Sequence, residues 1–281
     1  AWLDGSSLRT YRHAPNAGPR KSWAAGDATS RAVRLADLTL KGEIGYPSVL
    51  TATTWGFYDV AFKGKNFKLS QDYGSYVMEN ILFKISFPAE FHSQTAAEAA
   101  VRLHPIVKDR LSDIKSIKIK THESAIRIIS KVGPLNNPAD RDHCLQYMIA
   151  VPLAFGNLTA EHYEDEFHHN NPIIDALREK MTVEEEPRYT TEYLESEKRS
   201  IANSLQVFFK DGSATDEIEI NYPVGHRRRR NEGIPLLEEK FMTNLLTVFT
   251  KDRCNAIYDL CKDQEKLENT KVNDFMDLFI P

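Results

Sequence analysis

Residues 203–225, NSLQVFFKDGSATDEIEINYPVG, limit the fold more than any other stretch of the chain. Asp211-Gly212 separates two runs in which apolar and polar residues alternate, and a two-residue turn with period-two flanks marks a β-hairpin. A lone hairpin is marginal in water, so it needs a sheet to join. SIKIKTHESAIRII, residues 116–129, alternates as well, and residues 116–128 are the expected partner strand. Everything around this β-containing block reads as helix. Before the hairpin, Thr95 with Glu98 fits a capping box, ADRDHCLQYMIAVPLAFG is a buried helix kinked or ended near Pro152, and PIIDALREKM is a short helix. After it, LLEEKFMTNLLTVF and CNAIYDLCKD are helical again.

The N-terminal stretch is a loop punctuated by Gly5, Pro15, Gly18, Pro19 and Gly26. Asp27 can cap a helix that runs to Leu40 and stops at Gly42. Its charges Arg31, Arg34, Asp37 and Lys41 form one wet stripe, which implies that the rest of the helix is buried. A second helix is expected over residues 47–57. The composition shifts at KGKNFKLSQD, residues 63–72, and a domain boundary belongs there. The expected fold class is therefore mainly α with an α+β domain. Residues 1–70 are helical, 71–226 form the α+β domain, and 227–281 are helices returning to the first part. Residues 235–281 should pack on the helix at 28–40.

Net charge is −4, from 36 Lys+Arg against 40 Asp+Glu, so no overall field points to nucleic acid or an anionic membrane. The run Arg227, Arg228, Arg229 and Arg230 reads as a solvated loop with one or two anion contacts. No apolar run is long enough to span a bilayer. Cys144, Cys254 and Cys261 form no CxxC pair, which removes the usual spacing for zinc or an iron–sulfur cluster and gives no disulfide framework. His168-His169 has no third ligand in register. Neither GxGxxG, GxxxxGK[ST], HExxH nor GxSxG occurs. No metal and no cofactor are expected.

The candidate chemistry starts in the opening loop. Arg9, Arg12, His13, Arg20, Lys21 and Arg31 gather around turns that feed a helix N-terminus, and such a place holds anions. Arg12 and Arg20 suit planar carboxylates through their guanidinium forks. Lys21 is compact and tunable, a charge stabiliser or proton donor. His13 is an acid/base candidate. His92 precedes the helix starting near Thr95, where a helix N-terminus favours neutral imidazole and hence a base. His143 and Tyr147 stand four apart on the helix that follows Asn136, Asn137, Asp140 and Arg141, and could face a cleft.

Four blocks carry a resemblance that runs the length of the chain: RTYRHAPNAGPRKSWAAGDATSRAVRLA, GYPSVLTATTWGFYDV, YGSYVMENILFKISFPAEFHSQTAAEAA and GPLNNPADRDHCLQYMIAVPLAFG. Together they resemble the MmgE/PrpD family, in its 2-methylcitrate-dehydrating branch. The resemblance implies a large all-helical domain with a smaller α+β domain inserted, and a homodimer. It implies a hydro-lyase that converts the tricarboxylate 2-methylcitrate, and citrate as a second substrate, to the cis-aconitate product and water in propionate breakdown. No iron–sulfur cluster is implied. In the related cis-aconitate decarboxylase branch a loop lysine is catalytic, and the matching position here is Lys21. That branch also uses a histidine where FPAEFHSQTAAEAA has Gln94, which favours dehydration and leaves Gln94 to orient substrate. The family's helical region carries an Asp/Thr/His constellation of the DFDDT…HP type that these residues lack. The resemblance thus implies the C-terminal part of a longer enzyme, with an incomplete active site. A decarboxylase-like enzyme and a non-catalytic carboxylate-binding fragment are the competing readings. The implied compartment is the mitochondrial matrix for a eukaryotic source and the cytoplasm for a bacterial one.

Overall fold

A computed structural model describes residues 11, 17–68, 74 and 79–281. The first helix, α1 (Arg20–Leu40), begins seven residues before Asp27. Pro19 has a helical φ of −54° and the amides of Lys21 and Ser22 reach back to Gly18 and Pro19, so the proline starts the helix. Asp27 lies inside and ties down Arg20 and Arg31 instead of capping. The expectation of a largely buried helix does not hold among the described residues. No residue of α1 is buried, and Val33 and Leu40 are 70% and 87% exposed. The C-terminal helices therefore do not cover it. Residues 47–54 are turns rather than helix, since Thr51, Thr53 and Thr54 are poor helix formers and Thr54 adopts φ +69° with its amide on the Asp59 carboxylate. The helix here is α2 (Phe57–Phe62).

From residue 91 the chain builds a layered α+β lobe. Its elements in order are α3 (Gln94–Val107), β1 (Ile114–Thr121), α4 (Glu123–Ile129), α5 (Pro138–Arg141), α6 (Leu145–Phe155), α7 (Asp165–Asn170), α8 (Ile173–Arg178), β2 (Met181–Glu185), α9 (Pro187–Leu194), β3 (Asn203–Phe209) and β4 (Ile218–Ile220). The sheet order is β2-β1-β3-β4, with β1 parallel to β2 and antiparallel to β3. The hairpin forms as expected, with Leu205 opposite Ile218 and Gly212 at φ +88° in the turn. Its partner strand is shorter than expected and stops at Thr121. Ala125, Ile126, Ile128 and Ile129 follow helical rather than alternating spacing, and they form α4. β2 was not expected from the sequence: its run MTVEE is short and charged, the composition of a protected edge strand.

One core joins sheet and helices. Ala96, Ala97, Ala99 and Ala100 give α3 a small-residue face that lets α6 approach closely, and Leu103, Met148 and Ile149 pack over Ile117, Ile119, Leu205 and Val207. Pro152 sits within α6, which ends at Gly156 with φ +79°. The expected capping box does not form. Thr95 donates to the Ile201 carbonyl at 2.5 Å, and Glu98 is taken by Arg229.

The arginine run leads from the lobe into the C-terminal helices. Arg227 and Arg228 bond the Glu197 carbonyl, Arg229 bonds Glu98, and Arg230 reaches the Ile81 carbonyl and lies over the Phe83 ring at 4.3 Å. All four are structural ties rather than a solvated basic patch. Helices α10 (Arg230–Leu246), α11 (Lys251–Lys262), α12 (Gln264–Asn269) and α13 (Val272–Asp277) follow. They gather a small separate core of Leu245, Cys254 and Ile257 with Phe241, Phe249 and Phe279. Among the described residues, no helix is long and apolar enough to cross a membrane.

Candidate active site

The start of α1 meets the lobe at α5. Pro138 opens α5, and Asn137 caps it by accepting from the Asp140 amide at 3.0 Å. The Asn137 amide also donates to the Ala17 carbonyl at 3.3 Å, which fastens the loop before α1. This contact aims Lys21 inward. Its ammonium donates to the Ala139 carbonyl at 2.8 Å and pairs with Asp142 Oδ1, leaving the lysine side chain only 8% exposed. His143 Nδ1 lies 3.0 Å from the same carboxylate oxygen. Burial works to raise the Asp142 carboxyl, but its bonds to His143 and Lys21 outweigh this and hold it below its ordinary value. Lys21, Pro138, Asp142, His143, Tyr163 and Glu164 line a cavity of about 450 Å³ at this junction.

A second cluster lies beside it, two residues along from Pro88, which also lines the cavity. The Glu90 carboxylate accepts from the His92 backbone amide and contacts His92 Nδ1 at 2.8 Å. His92 Nε2 is 3.3 Å from the Tyr193 hydroxyl. His122 stacks on Tyr193 with centroids 4.4 Å apart, and among the described residues neither of its ring nitrogens has a hydrogen-bond partner. Burial, reinforced by neighbouring His92, pushes the His122 imidazole down to about 4, so it is neutral at physiological pH. Burial works to raise Glu90, but His92 and, more distantly, His143 outweigh it and hold the carboxyl low. Glu90 thus couples this cluster to the cavity.

Of the residues singled out from the sequence, the structure brings Lys21 and His143 together in the cavity wall, and His92 lies in the adjoining cluster. Arg20 is directed along α1, bonded to Asp27 at 3.0 Å and stacked over Trp23 at 4.4 Å. Gln94 is buried behind the cavity, with its amide N–H groups on the carbonyls of Phe87 and Ala89. Tyr147 is fully buried and donates to the His162 carbonyl at 2.6 Å; Tyr163, stacked upon it, is the tyrosine that lines the cavity. His143 and Tyr147 share no helical face, because α6 begins at Leu145 and His143 stands in the turn before it. Arg12 and His13 lie outside the described residues.

Sequence reasoning passed over Asp142, Glu90 and Tyr163. The adjacent Asp-His pair in RDHC was the available signal for the first. A larger cavity of about 570 Å³ opens elsewhere between residues 131–134, Gln146 and α8. Its buried cation is already committed, since Arg178 holds Asp175 and the Gly133 carbonyl. The junction cavity, with its lysine and half-buried histidine, is the better place for chemistry.

The fold defines a mainly α protein with an α+β lobe and a polar cavity where helix and lobe meet, a concave site of the kind that takes small molecules. The chain belongs to the MmgE/PrpD family: residues 1–70 match the MmgE/PrpD N-terminal domain and residues 87–264 match the MmgE/PrpD C-terminal domain. It is 59% identical over 283 residues to the 2-methylcitrate dehydratase of Salmonella typhi, covering 100% of this chain and 58% of that protein. It is 59% identical to the 2-methylcitrate dehydratase of Cupriavidus necator, over 99% of this chain and 58% of that one. It is 56% identical to "2-methylcitrate dehydratase, mitochondrial" of Yarrowia lipolytica, over 100% of this chain and 54% of that one. The chain thus spans little more than half the length of these relatives.

Proposed function

We infer that the complete protein carrying this chain is a hydro-lyase that converts 2-methylcitrate to 2-methyl-cis-aconitate and water. The observation that supports this best is the seating of Lys21. A lysine from the helical part, its side chain largely covered, is seated at the rim of the lobe's cavity, in a chain 59% identical to named 2-methylcitrate dehydratases. Removing a proton α to a carboxylate builds a dianion, and a fixed ammonium beside it lowers the barrier. A general acid then assists the leaving hydroxyl. Arg12 and His13, which lie outside the described residues, belong to the proposal by residue type alone, as carboxylate clamp and acid/base group.

Gln94 favours dehydration over decarboxylation. A histidine there would serve acid/base chemistry, whereas Gln94 is a buried residue whose amide holds two backbone carbonyls. The test offers the purified complete enzyme 2-methylcitrate, citrate and cis-aconitate separately. The expected result is the conjugated unsaturated product from 2-methylcitrate and no carbon dioxide from cis-aconitate. Carbon dioxide release would select the decarboxylase reading, and no product from any of the three would select a carboxylate-binding role. The homodimer belongs to this proposal and is checked by light scattering. So does the compartment, a mitochondrial matrix for a eukaryotic source and a cytoplasm for a bacterial one, with relatives named from both kinds of organism.

A further inference from the structure

We propose that Asp142 is the positioning residue of this site and that it makes His143 Nε2 the proton acceptor. The proposal rests on the dehydratase reading for its chemistry, but its geometry stands independently. A lysine ammonium only donates hydrogen bonds and an ionised carboxylate only accepts them. Lys21 Nζ and His143 Nδ1 meet on the same oxygen of Asp142, so Nδ1 must carry the proton of the neutral ring. That fixes the tautomer and leaves the Nε2 lone pair. His143 lines the cavity, and no described residue bonds its Nε2.

The other imidazoles nearby are less suited. His92 spends Nδ1 on Glu90 and Nε2 faces the Tyr193 hydroxyl. His122 is fully buried and does not line the cavity. Gln94 has no acid/base capacity. The turn that carries Asp142 and His143 is held from behind. Arg141 is fully buried, with Nε on the Tyr163 carbonyl at 2.7 Å and a bond to Asp165, and its own carbonyl accepts from the Cys144 amide at 3.1 Å. The pair therefore sits on a rigid support, as a base and its orienting carboxylate require.

The substrate C–H bond breaks and its proton passes to His143 Nε2, while Asp142 and nearby Glu90 stabilise the imidazolium. The freed electron pair becomes the new C=C bond. The C–O bond breaks, the hydroxyl leaves with the C–O bonding pair, and the imidazolium gives it the proton to form water. Lys21 holds the charge that builds on the carboxylate between these events.

The test is Asp142→Asn in the complete enzyme. The amide keeps shape and an acceptor oxygen but loses charge and can itself donate, so the ring is no longer held in one tautomer. We expect kcat to fall on the order of 10³-fold with KM within a few-fold, the behaviour of a carboxylate-to-amide change behind a catalytic histidine. Nitrogen-15 NMR of histidine-labelled protein supplies a readout that a structural role would not move. The resonance that is lost in His143→Gln should be Nδ1-protonated in the parent and shift towards the Nε2-protonated form in Asp142→Asn, whereas His92 and His104, whose Nδ1 groups face the Glu90 carboxylate and the Leu153 carbonyl, should keep their tautomers. If Asp142→Asn does not fold, His143→Gln, which leaves the Lys21–Asp142 pair intact, carries the test through the same loss of kcat. Parent-like kcat in either folded variant, or a parent tautomer with the proton on Nε2, overturns the proposal. A parent that does not dehydrate 2-methylcitrate overturns the reaction assignment instead, and the NMR result still decides the role of Asp142.

Discussion

Arg229→Ala should loosen the return of the chain from the lobe to its C-terminal helices. The guanidinium makes five hydrogen bonds: two to Glu98 at 2.8 and 3.1 Å, two to Glu232 at 2.9 and 2.7 Å, and one to the Tyr222 carbonyl at 2.8 Å. The arginine and Glu98 side chains are 18% and 15% exposed. Removing the arginine leaves Glu98 mostly buried, with Arg102 alone at 2.6 Å and largely in solvent. Breaking a fully buried pair costs roughly 3–5 kcal/mol, and the residual exposure here brings the expected loss to about 2–3 kcal/mol. For a chain of 281 residues that is a Tm drop of roughly 3–5 °C. Urea unfolding should give a lower midpoint with an unchanged slope. Hydrogen exchange should quicken in α10 before it does in β1 or β3, because the tie is between α3 and α10. A Tm within about 1 °C of the parent would mean that the bonds are as weak as surface pairs, and the idea that the arginine run anchors the return would fail.

Two further outcomes follow from the packing. His122 and His226 are both buried and both pushed down to about 4, His122 by burial and His92, His226 by burial and the flanking Arg227 and Arg228. Because the folded value lies below the unfolded 6.5, the unfolded state binds more protons between these limits. Stability is then full above pH 6.5 and falls towards pH 4, by up to about 3 kcal/mol for each histidine. Urea midpoints measured from pH 7 to 4 should show this slope, and His226→Gln should flatten it; an unchanged slope would count against burial as its cause. Gly225→Ala should destabilise by about 3 kcal/mol or more, since a Cβ there would lie 1.7 Å from the Phe83 carbonyl oxygen. An alanine variant with parent Tm would show that residues 81–85 can move away at little cost.

How much of this could be read from the sequence depended on the range of the contact involved. Asp211-Gly212 and its alternating flanks are local, and the hairpin formed where they placed it. The buried helix around Met148 was likewise written in an unbroken apolar run. β2 was not readable, because an edge strand of five residues with two terminal glutamates owes its pairing to β1 rather than to its own pattern. The switch from strand to helix at His122 was hidden by Ile119, Ala125 and Ile128, which fit either period when read loosely. At the site, Lys21 and His143 were accessible by residue type and position. Asp142 offered only its adjacency to His143 as a signal, since its lysine partner stands 121 residues away. Tyr147 was placed in the cleft by a helical spacing that fails because the helix begins two residues after His143. Gln94 was cast as a substrate contact from its position alone, and only the carbonyls of Phe87 and Ala89 reveal what occupies its amide.

Dehydration of 2-methylcitrate by the complete enzyme carrying Lys21→Ala, beside Arg228→Ala, decides whether the junction cavity is the site of reaction. Lys21 meets Asp142 and the Ala139 carbonyl at the cavity wall, whereas Arg228 bonds the Glu197 carbonyl in the return segment. The account predicts a fall in kcat of about 10²-fold or more for Lys21→Ala, the size of a lost electrostatic or acid/base group. It predicts parent-like turnover for Arg228→Ala. A Lys21→Ala enzyme that dehydrates 2-methylcitrate at the parent rate would place the chemistry elsewhere and contradict the account.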